Sequence, residues 1–94
     1  KPDFADAYIN LGLIMKSGGK LDEAISMTRK AIDLQPNSAD AHLNLGTIFQ
    51  DQGDLKQAET LTRKAIYLQP GIPDAHMNLG AILKELGRFE KMRE

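Results

Sequence analysis

The sequence contains no cysteine and no tryptophan. Without thiols there can be no disulfide framework, no thiolate zinc site and no cysteine nucleophile. Aromatic residues make up only 5% of the chain, and no apolar run approaches the ~18 residues that suggest a bilayer-spanning helix. An excess of one charge is lacking too. The 12 basic and 13 acidic side chains leave a formal net charge of −1, so no bulk field draws the molecule to nucleic acid or to an anionic membrane. The opening residues, Lys1-Pro2-Asp3-Phe4, do not read as a signal peptide. What is present is 41% apolar and 27% charged residues over 94 positions, too apolar for a disordered linker and enough for one small domain. A soluble, cytoplasmic protein is the expectation.

Sliding the chain against itself aligns Pro2, Pro36 and Pro70 at an offset of 34. Segments 2–35 and 36–69 are identical at 18 of 34 positions, where unrelated sequences would share about two. Segment 70–94 matches the second at 9 of 25 positions, so the third unit is incomplete. Each unit carries two helical periods. Ala41, Leu45, Ile48 and Phe49 fall on one face of a helix, and Leu55, Ala58, Leu61, Ala65, Ile66 and Leu68 on one face of another. Gly53 suits the left-handed end of the first and Asp54 the cap of the second, which makes the unit an antiparallel hairpin. The predicted helices lie near 5–17, 21–34, 39–51, 55–68 and 73–86, with a stub from 89 onward. Pro36 and Pro70 close the second helices, and Pro73 suits the first turn of the fifth. Gly12, Gly46 and Gly80 stand mid-helix at a cost of roughly 1 kcal/mol each relative to alanine, which points to close helix packing.

The series Tyr8-Leu11-Gly12-Ala24-Ala31-Pro36 and His42-Leu45-Gly46-Ala58-Ala65-Pro70, with His76-Leu79-Gly80 in the third unit, resembles the tetratricopeptide repeat pattern. Departures are Thr28 and Thr62 where an aromatic is usual, and Met92 where the pattern has alanine; Met92 suggests that the last six residues do not pack as a normal second helix. The resemblance covers essentially the whole chain and implies an all-α solenoid of stacked hairpins, with first helices on the inner, concave surface and second helices outside. On the first helices Asp6 and Asn10, Asp40 and Asn44, and Asp74 and Asn78 form i,i+4 pairs, giving two parallel ladders at repeat spacing. An asparagine amide offers a donor and an acceptor to any peptide backbone. Rungs about 10 Å apart would meet an extended strand roughly every third residue. The alternative is structural: each asparagine bridges to the next repeat, and each aspartate answers the helix dipole.

A narrower resemblance links Phe4-Ala5-Asp6-Ala7-Tyr8-Ile9-Asn10-Leu11-Gly12 and Ala39-Asp40-Ala41-His42-Leu43-Asn44-Leu45-Gly46 to the repeat domain of O-linked N-acetylglucosamine transferases and to bacterial repeat proteins. It implies that Asn10, Asn44 and Asn78 bind a peptide backbone and that Asp6, Asp40 and Asp74 contact its side chains. Ile9, Leu43 and Met77 would add apolar pockets. The expected ligand is an extended protein or peptide segment that is not acidic.

No nucleophile, base and orienting group can be assembled, so no catalytic residue is assigned. His42 and His76 lack a third ligand and fill the large packing slot, so no metal or other cofactor is expected. Ser17-Gly18-Gly19-Lys20 has Leu21 where a phosphate loop needs Ser or Thr. Arg29-Lys30 and Arg63-Lys64 read as a solvated outer face and not as a nucleic-acid site; Met15, Met27 and Met77 read as packing residues. A non-catalytic binding scaffold is the leading reading, and a spacer or self-association module of a larger enzyme is the alternative. The start without methionine and the end inside a helical pattern suggest a segment of a longer array. Because the stub Phe89–Glu94 is too short to hold a helix alone, Leu79, Ile82, Leu83 and Leu86 are expected to be only partly covered, favouring dimerisation or end-to-end stacking through that terminus.

Overall fold

A computed structural model of the chain describes residues 2–93, and the side chains of residues 4–92. The described residues form five helices and no strand: α1 (Pro2–Ser17), α2 (Leu21–Leu34), α3 (Ala39–Gln52), α4 (Leu55–Leu68) and α5 (Ala75–Arg93). Local chemistry sets most of the boundaries. Ser38 caps α3, its hydroxyl accepting from the Ala41 N–H at 3.2 Å. Gly53 ends α3 at φ 86°, and the Asp54 carboxylate starts α4 by accepting from the Gln57 N–H at 3.3 Å. Gly19, at φ 78°, makes the same turn between α1 and α2. The second helices stop at Leu34 and Leu68, two residues short of Pro36 and Pro70.

Within a hairpin the helices meet on glycine. A methyl group at Gly12 would lie 2.5 Å from Thr28 Oγ1 and 3.3 Å from the Ala24 carbonyl; at Gly46 it would lie 2.9 Å from Thr62 Oγ1 and 3.4 Å from the Ala58 carbonyl. Thr28 and Thr62, which replace aromatics, are therefore the side chains that seat on the glycines. Both are fully buried, and Thr28 Oγ1 donates to the Ala24 carbonyl at 2.8 Å. Around these contacts Leu45, Phe49, Leu55, Ala58 and Ile82 make one core cluster, and Ala39, Ala65, Ile72 and Ala75 another.

The third unit departs from expectation in four ways. There is no turn at Gly87 and no separate stub, because α5 runs unbroken to Arg93. Continuing the helix keeps its backbone hydrogen bonds, whereas folding back would press Met92 into a slot where Ala24 and Ala58 have no exposed surface. Pro73 is not in the first turn of α5 but two residues before it, and Asp74 precedes the helix at φ 68°. Ile72 stands where Ser38 caps α3 and has no side-chain oxygen to cap a first turn, and the first helical bond of α5 runs to the Asp74 carbonyl, from the Asn78 N–H at 2.9 Å. Gly80 has no packing partner, since nothing lies within 4 Å of a methyl placed there. Finally, Ile82 is fully buried and not partly covered; Leu79 and Leu86 are half-buried, and Leu83 is 40% exposed.

The curvature follows from which helices touch. Each hairpin packs on the next through α2 against α3 and α4 against α5; α1 also touches α3 and α3 touches α5, while α2 and α4 make no contact. First helices in mutual contact and second helices splayed apart place α1, α3 and α5 on the inside of the curve.

The two kinds of mid-helix glycine should respond oppositely to alanine. Gly80→Ala gains helix propensity with no clash and should raise stability by up to ~1 kcal/mol, whereas Gly12→Ala should lose ~1–3 kcal/mol through overpacking against the bonded Thr28. Urea unfolding of the two variants checks the signs.

Candidate functional site

The inner face is built from one repeated stretch of helix. Asn10, Asn44 and Asn78 follow one another along α1, α3 and α5; Asn10 is exposed, and Asn44 and Asn78 are half-buried. Asp6 and Asp40 lie one turn earlier on α1 and α3 and are exposed. Asp74 is exposed as well, but it precedes α5 in the left-handed region. The third carboxylate is therefore out of register with the other two, and the aspartate series holds a regular helical geometry at two positions.

Among the described residues, the side chains of all six form no hydrogen bond and no ion pair. Asn44 contributes only its backbone carbonyl, which accepts from Thr47 Oγ1 at 2.8 Å. The polar contacts that do join neighbouring hairpins lie elsewhere. Lys16 Nζ is 3.3 Å from Asp51 Oδ2, and Gln52 Nε2 donates to Asp22 Oδ1 at 2.9 Å. Thus α1 is tied to α3, and the end of α3 to the first turn of α2, by side chains other than the ladder residues. The Lys16–Asp51 pair also cancels one charge of each sign at the end of the inner face.

The apolar candidates divide. Ile9 and Leu43 are half-buried at the edge of the ladder, while Met77 is 73% exposed and is not the packing residue its spacing suggested. Met15 and Met27 are half-buried. Leu13, 38% exposed, was missed by the sequence reading. It lies three residues after Asn10 and four after Ile9, so the same helical spacing that defined the ladder could have included it. Thr47 and Ala81 hold the equivalent positions on α3 and α5.

His42 is buried with Nδ1 2.8 Å from the Ser38 carbonyl, whereas His76 is exposed with Nε2 2.9 Å from the Pro70 carbonyl. Among the described residues no three His, Cys, Asp or Glu side chains converge in a metal-binding group. The basic residues of the outer helices are engaged locally. Arg29 lies over the Phe49 ring and Lys30 over Tyr8, each at 5.7 Å, and Arg63 pairs with Glu59 at 3.0 Å. A cleft of about 610 Å³ lies where Leu86, Phe89 and Met92 of α5 stand against the start of α4. No helix of the described residues is long and apolar enough to cross a membrane.

With this geometry established, comparison with known proteins gives consistent results. A TPR repeat family model matches residues 12–53, and a tetratricopeptide repeat model matches residues 39–72. No curated protein matches the chain. Among solved structures, the crystal structure of MamA superposes with a TM-score of 0.85 at 28% identity, over 93% of this chain and 51% of that one. The chain therefore spans about half the length of that relative.

The inter-hairpin ion pair is partly exposed on both sides, 30% and 47%. A double-mutant cycle with Lys16→Ala and Asp51→Ala should give a coupling of ~0.2–1 kcal/mol that shrinks in high salt; urea denaturation at two ionic strengths measures it.

Proposed function

This chain belongs to the tetratricopeptide repeat family, and from that premise we propose that its inner face holds an extended, non-acidic peptide segment. Repeats of this kind are protein-interaction scaffolds and typically non-catalytic. The finer reading rests on one observation. Three asparagines on the first helices and three aspartates, two of them on those helices and Asp74 just before α5, recur at intervals of 34, and none of their side chains makes a hydrogen bond or ion pair among the described residues. The bridging role that would make them structural is performed instead by Lys16, Asp51, Gln52 and Asp22.

In this reading each asparagine amide donates to a peptide carbonyl and accepts from a peptide N–H, independent of the ligand's side chains. Specificity comes from the carboxylates. Asp6 and Asp40 favour basic, hydroxyl or amide side chains and repel acidic ones. Asp74 contributes differently, since its backbone sets it off the helix. Ile9, Leu43, Met77 and the neighbouring Leu13 supply apolar area along the strand.

Three rungs at ~0.5–1.5 kcal/mol each give about 1.5–4.5 kcal/mol, against about 8 kcal/mol for a micromolar complex. Binding by this chain alone should therefore be weaker than micromolar. The test is a titration of ¹⁵N-labelled protein with extended peptides containing Ser/Thr and Lys/Arg. Shift changes are expected on the inner residues of α1, α3 and α5 and should be lost in the Asn10, Asn44, Asn78→Ala triple variant. Equal responses in both proteins would overturn the proposal. Asp40→Asn should weaken the preference for basic over acidic peptides more than Asp74→Asn does.

A further inference from the structure

We propose that the start of α5 is a two-state switch that sets Asp74 in or out of register with the ladder, and that a cation on the bound peptide winds it. The segment between α4 and α5 departs from its counterpart between α2 and α3. By repeat, Pro73 corresponds to Ala39 and Asp74 to Asp40, yet α3 begins at Ala39 and α5 only at Ala75. The first bond of α3 runs from the His42 N–H to the Ser38 carbonyl at 3.3 Å, whereas that of α5 runs from Asn78 to Asp74, two residues late. Asp74 is left at φ 68°. The left-handed region is unfavourable for a residue with a side chain, and among the described residues the Asp74 carboxylate makes no hydrogen bond or ion pair to offset it. Strain of this kind persists only where flanking contacts hold it.

The contacts that hold it are particular to this junction. Ile72 is 3% exposed and packs with Ala39, Ala65 and Ala75, whereas Ser38, in the same position of the previous unit, is half-buried and caps α3 with its hydroxyl. The two histidines differ in the same sense. His42 Nδ1 reaches back four residues to the Ser38 carbonyl at 2.8 Å, and His76 Nε2 reaches back six to the Pro70 carbonyl at 2.9 Å. A carbonyl only accepts, so the two rings carry these protons on different nitrogens.

The residues themselves suit a second, wound state. Pro73 fixes φ near the helical value and lacks an N–H, which fits a first helical position, and Asp74 after it would meet the positive end of the helix. Winding puts Asp74 one turn before Asn78 on the same face, as Asp40 stands to Asn44. Against it stand the burial of Ile72, its lack of a capping oxygen and the His76 bond to Pro70. In the free chain these hold the start unwound. A ligand cation beside Asn78 binds better to the wound start, where the carboxylate lines up with that of Asp40, and a ligand shifts a two-state element by its difference in affinity for the two states. Winding offsets part of that ion pair, so Asp74 adds less selectivity than Asp40 does. The peptide's part rests on the ladder reading above, whereas the switch itself does not.

Glycine and alanine at position 74 test the switch without a ligand. In the left-handed region glycine is the more stable of the two, and in a helix alanine is. Urea unfolding is therefore expected to give Asp74→Gly a higher midpoint than Asp74→Ala, and the order should invert once Ile72→Ser supplies the cap. In the Ile72→Ser protein, ¹H–¹⁵N correlation of the imidazoles in mildly alkaline buffer should show the His76 proton moved from Nε2 to Nδ1. Titrating the unsubstituted ¹⁵N,¹³C-labelled chain with an extended peptide containing Lys/Arg should move the Asp74 ¹³Cα shift toward helical values, while the same peptide with alanine at the basic positions leaves it in place. Asp74→Gly should weaken the basic peptide about two- to fivefold and leave the alanine peptide unchanged. Alanine above glycine in the Ile72 background, or Ile72→Ser leaving both the order and the tautomer as they were, overturns the switch. A basic peptide that shifts Asn10 and Asn44 while Asp74 stays left-handed overturns the role of the cation. A chain that binds no peptide yet shows the inversion sinks the ladder and the peptide's part, and upholds the switch.

Discussion

The close approach of two helices over a glycine holds each hairpin together and orients everything built upon it. At Gly12 and Gly46 even one methyl group would collide with a threonine oxygen and press on a backbone carbonyl. Interiors packed this densely tolerate little added volume. The short axial distance brings Ala24, Ala31, Ala58 and Ala65 to zero exposure and fixes the rotation of the first helix about its axis. That rotation decides which residues look inward. Asn10 and Asn44 lie two residues before the glycines, so the contact that closes the hairpin also aims the ladder.

The stack is the same interface used repeatedly, and its ends show what each half looks like alone. Ile48 and Ile82 are fully buried, Ile82 in a cluster with Leu45, Phe49, Leu55 and Ala58, while Ile14, in the same repeat position, is 66% exposed. At the other end Gly80 keeps the glycine but lacks the threonine-bearing helix. A stacked repeat cannot bury its hydrophobic faces without neighbours, and both open faces are direct consequences of that rule. The inner ladder is different: its carboxylates are exposed in every unit, and its asparagines are exposed or half-buried.

Much of the architecture was legible in the residues. The period of 34, the paired helical faces, Gly53 and Asp54 at the turn, and the prolines beyond the second helices all act through contacts a few positions apart, and the helices form where those signals place them. The ladder's membership was legible for the same reason, since spacing alone puts Asp40 and Asn44 on one side of one helix. What escaped the reading was long-range or negative. Leu13 was passed over because it does not recur as leucine. The tie between Lys16 and Asp51 spans two units and depends on the curve of the stack. Met77 has the spacing of a packing residue but no helix to pack against.

The third unit shows where the boundary lies. Its sequence repeats His-x-x-Leu-Gly and places Gly87 where Gly19 and Gly53 turn the chain, yet α5 passes straight through Gly87 to Arg93. A glycine permits a left-handed turn but does not impose one; the turn forms when the returning helix buries enough surface to offset the broken helical bonds. Likewise α5 starts at Ala75, with Ile72 in place of the capping Ser38 and Asp74 off the helix, although the spacing of Asp74 to Asn78 is unchanged. The sequence by itself determined the repeat, the hairpins of the first two units and the residues of the ladder, because these depend on local periodicity and capping. Only the tertiary structure decided which glycines are filled, which carboxylates stay in register and which face remains open, because each depends on whether a second helix is there to pack.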